Sequence, residues 1–384
     1  MRSVPKTVWA LGLVSLCMDL SSELVHALLP LYMTVVLGAG MVAVGIVEGI
    51  AEATASIMKV FSGALSDRMA RRKPLVVLGY GLALLSKPLF PLADTVSLVL
   101  GARFMDRVGK GIRGAPRDAL IADVTPEGQR GAAFGLRQGL DTIGAFLGPL
   151  AAVGLMFLFL SDLRTVLWFA AVPALLAVGV LLVFVHEAPR KIASGARSAT
   201  GSWKDFGRPF WLVVGLGAVV TLARFSEAFL ILRAEQLGMA LALVPLVLVV
   251  MNLTYTAIAY PAGVAADRGQ RRALLLWGFA ALIAADLLLG ASTAWPAFFL
   301  GIMLWGAHMG LTQGLLSAMV ADAAPEKLRG TAFGVFHLVS GAALLAASVI
   351  AGGLWSAFGA EWTFYAGAAF TALALAGLLL RPLR

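Results

Sequence analysis

The 384-residue sequence is poor in charged residues, which make up 13% of the chain, and it has a single cysteine. In soluble proteins roughly a quarter of the residues are charged, so the composition argues against a soluble enzyme and against a disordered protein. The lone Cys17 excludes an internal disulfide and a cysteine-ligated metal cluster. A glycine-rich phosphate loop followed by Lys-Ser or Lys-Thr is also missing, so we expect no nucleotide hydrolysis.

Apolar residues, by contrast, make up 60% of the chain, and the mean hydropathy is +0.90. Apolar runs long enough to cross the hydrocarbon, about 20 residues each, recur from one end of the sequence to the other. We therefore predict an all-α membrane protein with twelve transmembrane helices. The predicted spans are residues 8–37, 42–66, 74–93, 96–122, 131–158, 163–186, 208–236, 243–265, 273–291, 296–322, 331–353 and 362–380.

The polar stretch 187–207 is rich in Gly, Ser and basic residues, which is typical of a flexible linker. It is predicted to be a cytoplasmic connection between two six-helix bundles, at residues 1–186 and 208–384.

Lysine and arginine are unevenly distributed between alternate loops. One side of the membrane receives nearly all of them, whereas the other side has only Arg164 clearly within a loop. Because basic loops remain in the cytoplasm, both termini are predicted to be cytoplasmic, with the chain in the cell membrane (the inner membrane of a prokaryote). This distribution accounts for most of the net charge of +9, so no nucleic-acid partner is expected.

Two segments of the first half recur in the second. Residues 63–72 (GALSDRMARR) return as 263–272 (GVAADRGQRR), and residues 122–135 return as 321–334. Since each half has an even number of spans, the two bundles should share one orientation. We expect a pseudo-two-fold axis along the membrane normal to relate them.

The repeated segment resembles the loop signature Gly-x-x-x-Asp-Arg-x-x-Arg-Arg of the major facilitator superfamily (MFS) of secondary transporters. The fourth span resembles that family's Arg-x-x-x-Gly-x-Gly-x-Gly stretch, except that Arg107 stands at a usual glycine. The fifth span resembles the Gly-Pro motif of the twelve-helix antiporter and drug-efflux branch, which implies helix-packing roles for Gly144, Gly148 and Pro149.

This resemblance implies a transporter, not an enzyme, with a substrate site midway between the bundles and alternating access. It implies no cofactor, with a proton gradient as the energy source. It also assigns gating roles to the two loop signatures, in which Arg71 would pair with Asp123 and Arg271 with Asp322, while Asp67 and Asp267 would lie near helix N-termini of the opposite half. The implied gating residues are Gly63, Asp67, Arg68, Arg71, Asp123, Gly263, Asp267, Arg268, Arg271 and Asp322.

Ionisable residues inside spans cost about 2.5–3.5 kcal/mol each on insertion scales, so they normally face a partner or a cavity. The fourth span carries seven of them with a net charge of +3, most on one helix face. Those near its cytoplasmic end are interpreted as a structural ion network, and Arg103, Arg107 and Lys110 as cavity-lining residues. Glu48, Glu52 and Lys59 of the second span, with Arg137 and Asp141 of the fifth, are predicted to supply partners to the fourth span.

Asp19, Glu23 and His26 share one face of the first span. A buried carboxyl near an arginine can exchange a proton between conformations, so Asp19, Glu23 and Arg103 are the predicted proton-coupling residues. The alternative is that the two acids only neutralise the fourth span. The predicted substrate-cavity residues are His26, Asp106, Arg107, Lys110, Arg137, Asp141, Arg224, Glu227, Asn252, Tyr255 and His308.

Metal binding is not predicted, because the 13 methionines are scattered through apolar runs where packing explains them. Proton-coupled efflux of a drug or metabolite is the preferred function, with a small-molecule substrate, protons and the lipid bilayer as partners of a monomer. Transport of an organic anion or metal-chelating acid, in either direction, is the alternative drawn from the basic fourth span. Lipid translocation and a transporter-like receptor stay open.

Overall fold

The protein is described by a computed structural model that covers residues 5–67, 69–126, 129–187, 206–325 and 328–380. Within these ranges the chain is helical, and no strand occurs. Twelve helical segments are of spanning length. They are α1 (Lys6–Val36), α2 (Met41–Asp67), α3 (Lys73–Leu92), α4 (Val96–Val124), α5 (Arg130–Leu158), α6 (Leu163–Phe184), α7 (Arg208–Gln236), α8 (Leu246–Asp267), α9 (Arg271–Ala291), α10 (Trp295–Ala323), α11 (Arg329–Phe358) and α12 (Ala360–Leu380).

Ten of these segments are also apolar enough to cross a membrane. The other two, α4 and α10, are each 29 residues long, which corresponds to roughly 44 Å at a rise of 1.5 Å per residue. The predicted all-α membrane fold with twelve spans is therefore confirmed. Two boundaries differ from the sequence-based expectation by three residues or more: α8 begins at Leu246 and not at 243, and α11 continues to Phe358 instead of ending at 353.

Proline interrupts the regular helix in two spans that the sequence analysis treated as continuous. Pro30 lies inside α1, whose last residues, Tyr32–Val36, form a π-helical turn. In α3 the helix stops at Ser86 and resumes at Leu89. Proline lacks a backbone N–H and its ring clashes with the preceding turn, which explains the break at Pro88.

The predicted continuous seventh span is also interrupted, here without a proline. The first part of α7 ends at Ala223, and the second part starts at Ala228. Ser226 Oγ accepts a hydrogen bond from the backbone N–H of Ala228 at 3.2 Å, so a serine hydroxyl satisfies the first N–H group of the restarted helix. The four residues Arg224–Glu227 are thus a break inside an apolar span.

The described residues form two compact units. One lies within Met1–Gly38 and Ile50–Ser198, and the other within Ala39–Gly49 and Ala199–Arg384. The first residues of α2 therefore belong to the second unit by their contacts. There they pack closely on α11, since a Cβ on Gly45 would come within 2.1 Å of Ser348 O and one on Gly352 within 2.4 Å of Met41 O. Residues 188–205, most of the predicted linker, lie outside the described chain.

Each unit has its own apolar core, and the two units repeat the same helix contacts. In the first unit a Cβ on Gly79 of α3 would lie 2.7 Å from Arg113 Cβ on α4. In the second unit a Cβ on Gly278 of α9 would lie 2.4 Å from Thr312 Cγ2 on α10. A second pair of contacts keeps this register: Gly111 with Met58, and Gly310 with Ile258. The internal repeat seen in the sequence is therefore also a repeat of helix packing.

Candidate functional site

The charged side chains of α4 are buried inside the first unit. Arg103, Asp106, Arg107 and Arg113 are at most 3% exposed. Charges removed from water in this way are stabilised only by partners or by a polar cavity. The contacts of these side chains therefore decide which part of α4 is structural and which part is available for chemistry.

Asp106 is held by a lysine from α3. Lys87 Nζ donates to Asp106 Oδ1 at 2.8 Å and to Ser22 Oγ of α1 at 3.1 Å, and Lys87 is fully buried. Lys87 lies directly before Pro88, at the interruption of α3. The sequence analysis placed Asp106 in a cavity and did not select Lys87, because a single lysine in an apolar run shows no partner at helical spacing. In the structure this carboxylate instead forms a buried ion pair with Lys87.

Arg107 contacts a carboxylate of α2. Its Nη1 lies 3.3 Å from Glu52 Oε1, and its Nε lies 3.9 Å from Asp106 Oδ2. The prediction that α2 supplies a partner to α4 is confirmed for Glu52. Glu48 is also buried, but it belongs to the part of α2 that groups with the second unit.

A second set of ion pairs ties α4 to α1 and α5. Arg113 Nη2 lies 3.8 Å from Asp19 Oδ1, and Arg117 Nη1 lies 3.8 Å from Asp141 Oδ1. Asp141 also pairs with Arg137 one turn earlier on α5, so the prediction that α5 supplies partners to α4 is confirmed. Arg113 additionally lies over the ring of Tyr80, 4.7 Å from its centroid.

Asp19 and Glu23 differ from Asp106 in their access to solvent. Their side chains are 22% and 20% exposed, whereas Asp106 is 2% exposed. Glu23 Oε2 lies 3.3 Å from His26 Nδ1 on the next turn of α1. The carboxyls of α1 are therefore surrounded by basic groups and still reach an accessible space.

Glycines of α5 allow this arrangement. A Cβ on Gly144 would lie 2.5 Å from Leu16 O and 3.2 Å from Asp19 Cβ, and a Cβ on Gly148 would lie 2.7 Å from Glu23 Cβ. Pro149 is buried beside them. The close approach of α5 to α1 thus positions the two carboxyl-bearing turns.

Lys110 is the cation of α4 with the fewest contacts. It is half-buried, and within the described ranges no carboxylate oxygen lies within 4.0 Å of its ammonium nitrogen. Its charge nevertheless acts on the carboxyls of Asp19, Glu23 and Glu52. Arg103, two turns earlier on the same face of α4, is fully buried.

The selected residues of the second unit are spread over three helices. Arg224 and Glu227 are the first and last residues of the break in α7. Asn252 and Tyr255 are half-buried on α8. His308 of α10 is fully buried, and its Nδ1 lies 2.9 Å from Gly278 O of α9.

The first loop signature forms a buried arginine cluster, but one residue later than expected. Arg72 Nε donates to Asp123 Oδ2 at 2.9 Å, and Arg72 Nη1 donates to Asp67 Oδ1 at 3.0 Å. Arg71, the expected partner of Asp123, is exposed. Glu187 adds a contact that the sequence did not suggest, because its carboxylate accepts hydrogen bonds from the backbone N–H groups of Arg72 and Lys73 at 2.7 Å each. A carboxylate at this helix N-terminus is stabilised by the unpaired N–H groups and the helix dipole.

In the second signature Arg271 pairs with Asp322, as expected. The two copies agree when they are aligned on the packing glycines of α3 and α9 and not on the loop signature itself. Arg72 lies seven residues before Gly79, and Arg271 lies seven residues before Gly278. The two arginines therefore occupy equivalent places, and the pairing with Arg71 was wrong because the loop of the second copy is one residue shorter.

The other signature residues add few contacts. Gly63 lies near Ala115 of α4 (3.5 Å from a built Cβ to Ala115 Cβ), and Gly263 and Arg268 are exposed. Arg68 and the side chain of Asp267 lie outside what the structure describes.

Comparison with known proteins gives a consistent family. The Major Facilitator Superfamily model matches residues 11–232 and 217–384. The uncharacterized MFS-type transporter MJ1317 of Methanocaldococcus jannaschii is 32% identical over 99% of this chain and 95% of its own length. The quinolone resistance protein NorA of Staphylococcus aureus is 25% identical over 47% of each chain. A solved POT family transporter in complex with a thioalcohol-conjugated peptide has a TM-score of 0.80 at 14% identity, over 98% of this chain and 96% of its own.

Proposed function

We propose that this chain, which belongs to the Major Facilitator Superfamily of membrane transporters, exports a drug or metabolite in exchange for protons. The chain is a multi-pass membrane protein that moves a small solute. The finer assignment rests on one observation: Asp19 of α1 lies among the arginines of α4 and remains accessible. NorA, named for quinolone resistance, supports the efflux direction over the part of the chain that it matches.

The geometry of the Asp19–Arg113 pair suits reversible proton binding. The separation of 3.8 Å is longer than the roughly 2.7–2.9 Å of a charge-assisted hydrogen bond, so the pair is not locked. When Asp19 takes up a proton, Arg113 loses this counter-charge. A conformational change that moves α1 against α4 would then alter the affinity of Asp19 for the proton, which couples proton binding to movement.

Proteoliposomes with an imposed pH gradient test the proposal. Vesicles that are acidic inside should accumulate an external lipophilic cationic dye, such as ethidium, as protons leave. Asp19→Asn should abolish the gradient-driven accumulation, and Glu23→Gln should reduce it. Asp94→Asn is the matched control, because Asp94 forms an exposed pair with Arg164 outside the α1–α4 network.

Accumulation that does not depend on the gradient would contradict proton coupling. An absence of dye movement under either gradient would contradict export of lipophilic cations.

Transport of an organic anion is the second candidate, and Lys110 favours it. This half-buried lysine forms no close ion pair among the described residues. Its charge acts on the carboxyls of α1 and α2. We expect such a carrier to be thermally stabilised by citrate, a metal-chelating acid. At 100 times its dissociation constant a ligand stabilises the folded state by about 2.7 kcal/mol, and Lys110→Ala should remove this effect while Lys73→Ala, at the exposed start of α3, should not.

We further propose that both termini are cytoplasmic, that the protein works as a monomer and that it needs no cofactor. The orientation rests on the basic loops and can be measured by labelling. In a Cys17→Ser background, single cysteines introduced at Arg71 and at Asp162 should react with an impermeant reagent from opposite sides of the membrane.

A further inference from the structure

α9 contains an acidic residue that no part of the mechanism above uses. Asp286 lies in the last third of this apolar span, five residues before its end, and is 0% exposed. Neither oxygen of its carboxyl has a hydrogen-bond partner within the described chain. The buried Asp106 of the first unit, by contrast, has the ammonium group of Lys87 at 2.8 Å.

The internal repeat does not place these two acids at equivalent positions. Aligned on Gly79 and Gly278, Asp286 occupies the place of Lys87, and Trp305 occupies the place of Asp106. The indole Nε1 of Trp305 also lacks a hydrogen-bond partner in the described ranges. Where the first unit has a lysine–aspartate pair, the second unit has an acid and an indole, both buried and both without a hydrogen-bond partner among the described residues.

The carboxyl of Asp286 faces the end of a broken helix. A Cβ on Gly367 of α12 would lie 2.5 Å from Asp286 Oδ2 and 3.1 Å from the carbonyl oxygen of Ala223. Ala223 is the last residue before the break of α7, and carbonyls in the last turn of a helix lack intrahelical donors. Phe225, inside the break, packs on Trp305 with ring centroids 5.2 Å apart.

Other titratable groups do not supply the missing partner. None donates a hydrogen bond to either oxygen within the part of the chain that the structure covers. On the helices around Asp286 these groups are His308 and Asp322 on α10, Glu361 and Tyr365 on α12, Tyr255, Tyr260 and Asp267 on α8, and Arg208, Arg224, Glu227, Arg233 and Glu235 on α7.

We propose that Asp286 is a proton-binding site, whose carboxyl carries a proton here beside the break of α7. An ionised carboxylate without a partner in an apolar interior pays a large desolvation cost. A metal cation would need several further oxygen ligands and room to hold them, whereas Gly367 leaves no space beside Oδ2. The proton is the cation that fits.

Release of this proton requires movement of the break. Asp286 has no exposed surface in this conformation, so exchange with solvent needs displacement of α7 or α12. The inference does not depend on the proposed exchange of a drug for protons, because a protonated Asp286 would exist in a carrier of any solute.

Infrared difference spectroscopy of the purified full-length protein at neutral pH tests the protonation directly. The spectrum of the wild type minus that of Asp286→Asn should contain one carboxylic-acid C=O band. Asp94→Asn, at an exposed ion pair, should remove only carboxylate bands. Loss of carboxylate bands, and not of a carboxylic-acid band, in Asp286→Asn would overturn the proposal.

Two further measurements keep the proposal falsifiable if Asp286→Asn does not fold. Gly367→Ala introduces a methyl group against Oδ2 and should shift the frequency of the same acid band, while Gly377→Ala, which has open space around it, should leave the band unchanged. Exchange of potassium for sodium in the buffer should have no effect. A band that changes with sodium would show a metal cation at this carboxyl and would overturn the proton site.

Discussion

Helices α4 and α10 hold equivalent places in the two units and are equally long, but their side chains differ almost completely. In α10, Ile302, Trp305, Gly306, Met309, Thr312 and Leu316 take the places that Arg103, Asp106, Arg107, Lys110, Arg113 and Arg117 hold in α4. The packing glycines Gly111 and Gly310 are nevertheless the same. Since an apolar α10 makes the same helix contacts, the fold does not need the charges of α4. Their concentration in one unit indicates a task beyond packing.

The largest difference in stability between substitutions in α4 and in α10 is expected when the buried Lys87–Asp106 pair of the first unit is broken. Asp106→Ala leaves Lys87 fully buried without its carboxylate, and such a loss costs about 3–5 kcal/mol. We expect the free energy of unfolding in mixed micelles to fall by this amount. Trp305→Phe, at the equivalent place in α10, shortens a buried ring and removes an indole N–H that has no partner among the described residues. It leaves no buried charge without its partner, so it should lower the free energy of unfolding by less.

A double variant checks the cause of that loss. Lys87→Met combined with Asp106→Leu replaces the charged pair by an apolar pair of similar size and should recover most of the stability. Equal losses in Asp106→Ala and Trp305→Phe would show that the ion pair does not distinguish the helices.

The packing glycines that face α4 and α10, Gly79 and Gly278, should also differ in the stability cost of an alanine substitution. A Cβ on Gly79 would come within 2.7 Å of the backbone nitrogen of Arg113 and of Gly109 O, whereas on Gly278 it would meet the methyl group of Thr312. A side-chain methyl can rotate away and backbone atoms cannot, so Gly79→Ala should cost about 1–3 kcal/mol and Gly278→Ala less. Gly81→Ala, which meets nothing within 4 Å, is the control, measured by thermal unfolding. A reversed order at the two contact sites would contradict the argument.

The stability costs of substituting the two signature arginines, Arg72 and Arg271, should differ by a smaller amount. Arg72 is buried and bonded to two carboxylates, so Arg72→Ala should cost about 1.5–3 kcal/mol, the range for hydrogen bonds to charged groups. Arg271 is 42% exposed in its pair with Asp322, and exposed pairs contribute about 0–1 kcal/mol. Arg71→Ala should have no effect on the melting temperature. A larger loss of stability in Arg71→Ala than in Arg72→Ala would support the predicted pairing of Arg71 with Asp123.

The smallest effect is expected at the start of α6. Asp162 caps α6 by accepting hydrogen bonds from the backbone N–H groups of Arg164 and Thr165, and the Thr165 hydroxyl lowers the pKa of this carboxyl. Because the folded pKa lies below the ordinary value of about 3.9, the contribution is present above that value and is lost as the pH falls through the folded pKa. Asp162→Asn should therefore flatten the acid limb of stability slightly, as measured in circular-dichroism melts at a series of pH values.

Much of the architecture could be predicted because it depends on local patterns. Twelve apolar runs of spanning length predict twelve helices, since a membrane helix satisfies its own backbone hydrogen bonds. Helical spacing also placed Asp19, Glu23 and His26 on one face of α1, where the structure has them. The repeat at 63–72 and 263–272 identified the two halves and the family.

Contacts between helices could not be predicted in the same way. Lys87 was missed because its partner, Asp106, is 19 residues away and on another helix. The break of α7 carries no proline, and Asp286 has no charged neighbour at helical spacing that would draw attention to it.

The sequence by itself therefore determined the helices, the two halves, the family and the cluster of charges on α4, because hydrophobic length and periodicity act within one segment. The tertiary structure alone decided which charges meet. Arg72 pairs with Asp123 in place of Arg71, Asp106 is sealed by Lys87 while Asp19 stays accessible, and Asp286 faces a helix break without a donor. The physical reason is that a buried charge is stabilised only by groups within a few ångströms, and a shift of one residue in a loop changes which groups those are.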